Sequence, residues 1–249
     1  MSSTALDRPP PPEPSWAMFL DFDGTLAAIA DDPDAVELGA HDHDALVDLF
    51  AELGGALAIL SGRDIADLAL RAPEGVWRIG GHGLATLSPA EAAADSKSGA
   101  EAGAAPAALT SAVEALVAPM DGVRVEIKGP ILAVHYRAAP HLGEELARAL
   151  EAIVSDHADY ALQSGKMVFE AKPAHANKGA AVRALMARPP FAGRLPVMLG
   201  DDRTDEDAFA AAQALGGFGI KVGEGETAAR YRLEAPAAVW AWLKTMRTT

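Results

Sequence analysis

The chain reads as an α/β protein, a Rossmann-like parallel sheet flanked by helices, with a smaller α+β domain inserted into it. Three features predict this. Strand-length apolar runs alternate with helically spaced ones towards both ends of the chain. Two of these runs stop at clustered acids, "FLDFDGTLA" at 19–27 and "LPVMLGDDRTDED" at 195–207. Between them the rhythm changes to helix, strand pair, helix, strand pair.

Residues 1–14, which include "PPPPEP", are polar and Pro-rich and are expected to form a disordered tail. "AMFLDF" (17–22) then reads as a buried strand. "HDALVDLFAEL" (43–53) places Leu46, Leu49, Phe50 and Leu53 at helical spacing. "ALAILSG" (56–62) is a second strand, "RDIADLALRA" (63–72) a helix with Asp64 in its first turn, and "VWRIGGHG" (76–83) a third strand ending in glycines. This β-α-β-α-β order implies right-handed crossovers in a parallel sheet. Residues 88–107 are rich in Ala, Gly and Ser and read as a linker. A helix (108–118), "VRVEIKG" (123–129), "LAVHYRA" (132–138), a helix (142–156), "YALQSG" (160–165) and "MVFEAK" (167–172) then form an antiparallel unit. Alternation returns with a helix at 178–187, a strand at 194–202, a helix at 204–215 and a strand at 217–223. The expected domains are 15–87 with 174–249, and 88–173.

Bulk composition narrows the function. The 249 residues carry 21 Lys+Arg against 35 Asp+Glu, a net charge of −14. That balance argues against binding a nucleic-acid backbone, which needs clustered cations. It leaves room for a small anionic substrate in a locally basic pocket. There is no cysteine, so neither disulfides nor thiolate chemistry arise. No apolar run reaches the roughly 20 residues that span a bilayer, and Asp7 and Arg8 stand where a signal peptide would be apolar. The expectation is a soluble cytoplasmic protein, monomeric by default.

On a strand, Asp21 and Asp23 project the same way, with Phe22 opposite. They stand at the carboxyl end of their strand, where open parallel sheets bind ligands. A bare Asp-x-Asp is ordinarily a turn with a helix cap. A second acidic strand end, Asp201, Asp202 and Asp205, makes a Mg²⁺ site plausible, since Mg²⁺ prefers hard oxygen ligands. Thr25 offers a hydroxyl, Ser61 and Gly62 offer donors to phosphate oxygens, and Lys178 opens the helix before the second acidic strand. In the middle unit, Arg124, Glu126 and Lys128 alternate with Val123, Val125 and Ile127. His135 and Arg137 oppose Leu132, Val134 and Tyr136, and Lys166 and Glu170 oppose Met167 and Phe169. One sheet face is therefore apolar, and the other can offer fixed donors and acceptors to a polyhydroxylated ligand.

"DFDGTL", "SG" after the second strand, Lys178-Gly179 and "GDDRTD" together resemble the haloacid dehalogenase superfamily over residues 16–83 and 176–223, with the insert where a C2-type cap stands. The resemblance implies that Asp21 is a nucleophile forming an aspartyl phosphate. It implies that Asp23 is the acid that protonates the leaving alcohol and the base that activates water. Mutual repulsion would then help to divide one ionised carboxylate from one able to hold a proton. Mg²⁺ would be held by Asp21, the Asp23 backbone carbonyl, Asp201 and, through water, Asp205, with Lys178 neutralising charge and Thr25 and Ser61 orienting phosphate. "SGR", "GGHG", "VEIKGPILAVHYR", "GKMVFE" and "GDDRTDEDAF" narrow the likeness to trehalose-6-phosphate phosphatases. That family's pattern puts Glu126, Lys128, Arg137, Lys166 and Glu170 on sugar hydroxyls and Arg63 and His82 in the core motifs. His82 alone is more often structural. A phosphatase of another sugar phosphate (sucrose or mannosylglycerate phosphate), a sugar phosphomutase and a non-enzymatic sensor are the alternatives.

Overall fold

The computed structural model describes residues 6–30, 32, 35–91, 103–165 and 167–246. By internal contacts the chain divides into two units, Met1–Lys97 with Asn177–Thr249, and Ser98–Ala176. The first unit holds β1 (Trp16–Asp21), α1 (Ala40–Glu52), β2 (Leu57–Leu60), α2 (Ile65–Arg71), β3 (Trp77–Gly80) and β4 (Ala85–Leu87). The second holds α3 (Ala107–Val117), β5 (Arg124–Lys128), β6 (Ile131–His135), α4 (Gly143–Ser155), β7 (Tyr160–Gly165) and β8 (Val168–Pro173). The chain then returns to the first with α5 (Lys178–Met186), β9 (Leu195–Gly200), α6 (Glu206–Ala214), β10 (Phe218–Val222), β11 (Tyr231–Leu233) and α7 (Pro236–Leu243).

Among the described residues, the first unit's sheet runs β11-β10-β9-β1-β2-β3-β4, parallel except where β4 turns back on β3. All six residues of β1 are buried, as expected for a central strand covered on both faces. Its alternation divides the core. Met18 and Leu20 join one apolar cluster with Leu46, Leu57 and Val197, while Ala17 and Phe19 join another with Val182, Phe191 and Phe209. From β1 the chain winds outward to β2 and β3, and later to β9, β10 and β11 on the other side. The β1/β9 boundary is thus a topological switch point, the place where such sheets leave a crevice at their carboxyl ends.

The second unit is an antiparallel sheet, β5-β6-β8-β7. Leu132, Val134, Phe169 and Ala171 face Leu109, Val113, Leu146 and Leu150 of α3 and α4. The opposite face carries a cross-strand row, Glu126 to Ala133 to Glu170 to Gln163.

Several local expectations change. Asp7 to Pro14 are not a free tail: Trp242 Nε1 donates to the Pro10 carbonyl (2.8 Å), Arg194 to that of Pro14 (2.8 Å), and the Asp7 carbonyl accepts from Arg232. Prolines supply carbonyls without needing amide partners, so such a segment packs without joining a sheet. Residues 1–5 lie outside the description. Of the expected linker, Ser88 to Glu91 are held by fully buried Arg78, whose Nη2 donates to the Glu91 carbonyl at 2.5 Å, and Ala107 already begins α3. Residues 92–102 lie outside the description. Strand β6 ends at His135, because the Tyr136 amide turns to the Met167 carbonyl and the chain enters a turn at Arg137. Met167 has φ 62° and sits in the β7–β8 hairpin, not on a strand with Phe169. Ile127, expected on the covered face, is 53% exposed on edge strand β5. Strands β4 and β11 and helix α7 were not expected at all.

The indole of Trp242 stacks on Trp16 of the central strand (centroids 6.4 Å apart) as well as holding Pro10. Trp242→Ala should therefore lower the unfolding free energy by about 3–5 kcal/mol, read as a fall in the urea midpoint. An unchanged midpoint would mean that α7 and residues 7–14 are not coupled to the core.

Candidate active site

Strand β1 ends at Asp21, and the chain turns at once: Gly24 N–H donates to the Ala27 carbonyl (2.7 Å) and Leu26 N–H to that of Phe22 (3.1 Å). Gly24 has φ 85°, and a Cβ there would run into the carboxylate of Asp201. Only glycine permits both the turn and that close approach. The strand ends at Asp21 where Phe22 was expected to end it, and the two acids take different partners.

Asp21 is buried and faces Lys178, the first residue of α5. Lys178 Nζ donates to Asp21 Oδ1 at 2.5 Å and to Asp205 Oδ1 at 2.6 Å. Asn177 caps that helix by accepting from Ala180 N–H (2.6 Å), which fixes where Lys178 starts its reach. Burial pushes the Lys178 ammonium towards neutrality, but Asp205 and Asp21 outweigh it and hold its pKa above the ordinary value. Burial also pushes Asp21 well above the carboxylate range; Lys178 opposes this, and Asp205 and Asp201 add to it. Asp201 is pushed up to about 7 by burial, then by Asp205 and Asp202, against Lys178 and Lys221.

One oxygen each from Asp21, Asp201 and Asp205 lie within 4.8 Å of one another. Asp21 Oδ2 is buried with no hydrogen-bond partner among the described residues. A cluster of hard oxygens with an unsatisfied buried member fits a divalent cation. Asp202 stands apart from it: it caps the turn at Arg203–Asp205, with its carboxylate accepting from Arg203 N–H (2.6 Å) and its own N–H donating to Asp205 (3.0 Å).

Asp23 pairs with Arg63. Arg63 Nε donates to Asp23 Oδ2 at 2.8 Å and Nη2 to Oδ1 at 2.6 Å, a two-bond fork. Each acid of the Asp-x-Asp pair thus has its own cation. Ser61 Oγ accepts from Arg63 N–H (3.1 Å) and lies 3.5 Å from Asp23 Oδ2. His82 is buried in a single 3₁₀ turn with φ 56°, and its N–H donates to the Ser61 carbonyl (3.0 Å). Its ring packs so closely on Gly62 that a Cβ there would lie 2.7 Å from two ring atoms. His82 therefore shapes the Ser61-Gly62 turn. Thr25 is fully buried, its hydroxyl without a partner among the described residues.

In the second unit Glu126 accepts from His135 Nε2 (2.9 Å) and pairs with Lys128 Nζ (3.3 Å). Burial pushes its carboxyl up, but Lys128 and His135 outweigh that and leave it below its ordinary value. Burial, aided by Arg124 and Lys128, holds His135 below its usual pKa despite Glu126. Glu170 shares the cross-strand row with Glu126. Arg137 is exposed in the turn after β6, and Lys166 lies outside the described residues.

Sequence reasoning missed Lys221, Asp67 and Arg71. Lys221 is buried on β10 and donates to the Asp201 carbonyl. A lysine inside an all-buried strand was the available signal. Asp67 accepts from Arg63 Nη1 (2.8 Å) and Arg71 Nε (2.8 Å), and the spacing 63, 67, 71 foreshadows it.

Known proteins are similar to this chain in sequence and in fold. The trehalose-phosphatase family matches residues 19–237. A probable trehalose-phosphate phosphatase of Sinorhizobium fredii is 41% identical over 218 residues, 84% of this chain and 78% of that protein. The trehalose-6-phosphate phosphatase of Escherichia coli is 37% identical over 244 residues, 94% of this chain and 87% of that protein. In fold, the chain is similar to the C-terminal domain of a trehalose-6-phosphate phosphatase from C. albicans, with TM-score 0.74, 24% identity and 92% and 91% of the two chains covered. With most of its length matched, the chain belongs to the trehalose-phosphatase family, on a haloacid dehalogenase fold.

Proposed function

We propose that this protein hydrolyses trehalose 6-phosphate to trehalose and inorganic phosphate, with Mg²⁺ as its cofactor. The observation that carries the reading is the buried Asp21, grouped with Asp201 and Asp205, with one oxygen held by Lys178 and the other without a partner among the described residues. A dianionic phosphate approaching a carboxylate needs positive charge already in place, and Lys178 supplies one fixed cation.

In this reading an Asp21 oxygen attacks phosphorus and the bond to the sugar oxygen breaks, giving an aspartyl phosphate. Asp23 gives its proton to the departing sugar oxygen. It then takes a proton from water as that water attacks phosphorus, releasing phosphate and restoring Asp21. Mg²⁺, held by Asp21, Asp201, Asp205 and the Asp23 carbonyl, would supply the remaining charge neutralisation. Thr25, Ser61 and the Gly62 backbone would orient phosphate oxygens. The row of Glu126 and Glu170, with Lys128, Arg137 and Lys166, would take the sugar hydroxyls.

Asp21→Asn should abolish phosphate release and leave no acid-stable, hydroxylamine-sensitive phosphoenzyme, because an amide does not attack phosphorus. Near-normal turnover in that variant would remove Asp21 as nucleophile. EDTA should silence the wild type and Mg²⁺ should restore it. Full activity after exhaustive chelation would remove the metal from the reading.

Glu126→Ala should lower kcat/KM for trehalose 6-phosphate about 10- to 100-fold, the worth of one charged hydrogen bond. It should leave an aryl phosphate, which lacks the sugar, nearly untouched. Equal losses on both substrates would mean that Glu126 supports the fold of its sheet. A panel including sucrose and mannosylglycerate phosphates, run on the wild type, tests the sugar itself.

A further inference from the structure

We infer that Asp67 and Arg71 are positioning residues for Asp23, acting through Arg63 along a chain of alternating charges. The inference rests on the reading of Asp23 as the acid and base of the reaction.

The geometry is continuous. One edge of the Arg63 guanidinium, Nε and Nη2, meets the Asp23 carboxylate. Nη1 meets Asp67 Oδ2 at 2.8 Å. The second Asp67 oxygen, Oδ1, takes Arg71 Nε at 2.8 Å. Arg71 Nη1 closes the chain on the Val36 carbonyl at 2.7 Å. A guanidinium is planar, so with both sites engaged its orientation about the side-chain axis is fixed. The side chains of Arg63 and Arg71 are 11% and 12% exposed, which limits competition from water. Arg63 also lies over the ring of Phe22, 5.7 Å from its centroid, between the two acids in sequence.

The helix makes this arrangement possible. Asp67 and Arg71 stand one turn apart on α2, and Arg63 sits one turn before Asp67, just ahead of the Asp64 cap. Burial pushes Asp67 up, but bonds from Arg63 and Arg71 outweigh it and hold it below the ordinary carboxylate range. Asp67 is therefore a fixed negative charge. Neither Asp67 nor Arg71 belongs to the acidic cluster around Asp21. Their effect on the reaction falls on the proton transfers that Asp23 performs.

Leaving-group chemistry isolates those transfers. The sugar oxygen of trehalose 6-phosphate needs a proton as it leaves, whereas p-nitrophenolate does not. Water needs a base in the second step with either substrate. Asp67→Asn keeps the shape but puts an amide NH₂ against a guanidinium, so one of its two bonds is lost. It should lower kcat on trehalose 6-phosphate about 10- to 100-fold with KM little changed. On p-nitrophenyl phosphate it should show a burst of nitrophenolate followed by slow turnover, with phosphoenzyme accumulating. Arg71→Gln should show the same pattern, more weakly.

Asp23→Asn is measured alongside. If it gives no burst, the acid–base reading and this inference fall together. If it gives the burst and Asp67→Asn and Arg71→Gln do not, the inference alone is overturned. Loss of activity in both variants, equal on the two substrates and with a lowered urea midpoint, would equally overturn it, because that is what a merely structural ion-pair chain produces.

Discussion

The buried ammonium of Lys178 is the interaction on which the rest of the site depends. It bonds two carboxylates at once, Asp21 at 2.5 Å and Asp205 at 2.6 Å, in a place closed to water. Ions so buried lose several kcal/mol of hydration each, and only close pairing with good geometry offsets it. Removing one partner of such a set typically costs about 3–5 kcal/mol, because the others are left unpaired. The set nonetheless stays incompletely neutralised. Asp201 is pushed up to about 7, and Asp21 keeps an oxygen without a partner. An over-acidic, under-satisfied cluster is unfavourable by itself and suited to a divalent cation.

The fold converges on that cluster from three places in the chain. Asp21 arrives on the central strand, Asp201 and Asp205 follow the adjacent strand, and Lys178 begins the helix leading into it. Close approach is possible because Gly24 has no side chain against Asp201. Around this set a second, more open layer carries Asp23. Arg63 gives that carboxylate its own cation, and Asp67 and Arg71 fix the cation. The two acids of the Asp-x-Asp pair, one residue apart in sequence, thus occupy different electrostatic environments.

The net charge of −14 does not conflict with an anionic substrate. The acids around Asp21 are met in part by Lys178 and by Lys221, which reaches the Asp201 backbone carbonyl, and the Asp23 carboxylate is paired with Arg63. On the second unit's sheet, Glu126 is likewise matched by Lys128 and His135. Local pairing, not the sum over the molecule, sets the potential a small ligand meets.

Much was legible in the sequence by itself. The parallel core, the antiparallel insert and the acidic strand ends follow from periodicities of 2 and 3.6 and from short motifs, which are local and need no partner. Asp21, Asp201 and Asp205 could be named because strand ends in such sheets face one crevice, and Lys178 because its motif resembles that of the haloacid dehalogenase superfamily. What the sequence could not decide were pairings between segments far apart in the chain. Residues 7–14 looked disordered by composition, yet two carbonyls in that stretch are held by Trp242 and Arg194, 232 and 180 positions away. Arg63 was named as a motif residue, but only the folded chain shows that its guanidinium grips Asp23. Strand β1 stops at Asp21 rather than Phe22, with the chain turning at Gly24, and the two acids meet different cations. Alternation along a strand is fixed by the local chain; where the strand ends, and which cation meets which acid, is fixed only by tertiary packing.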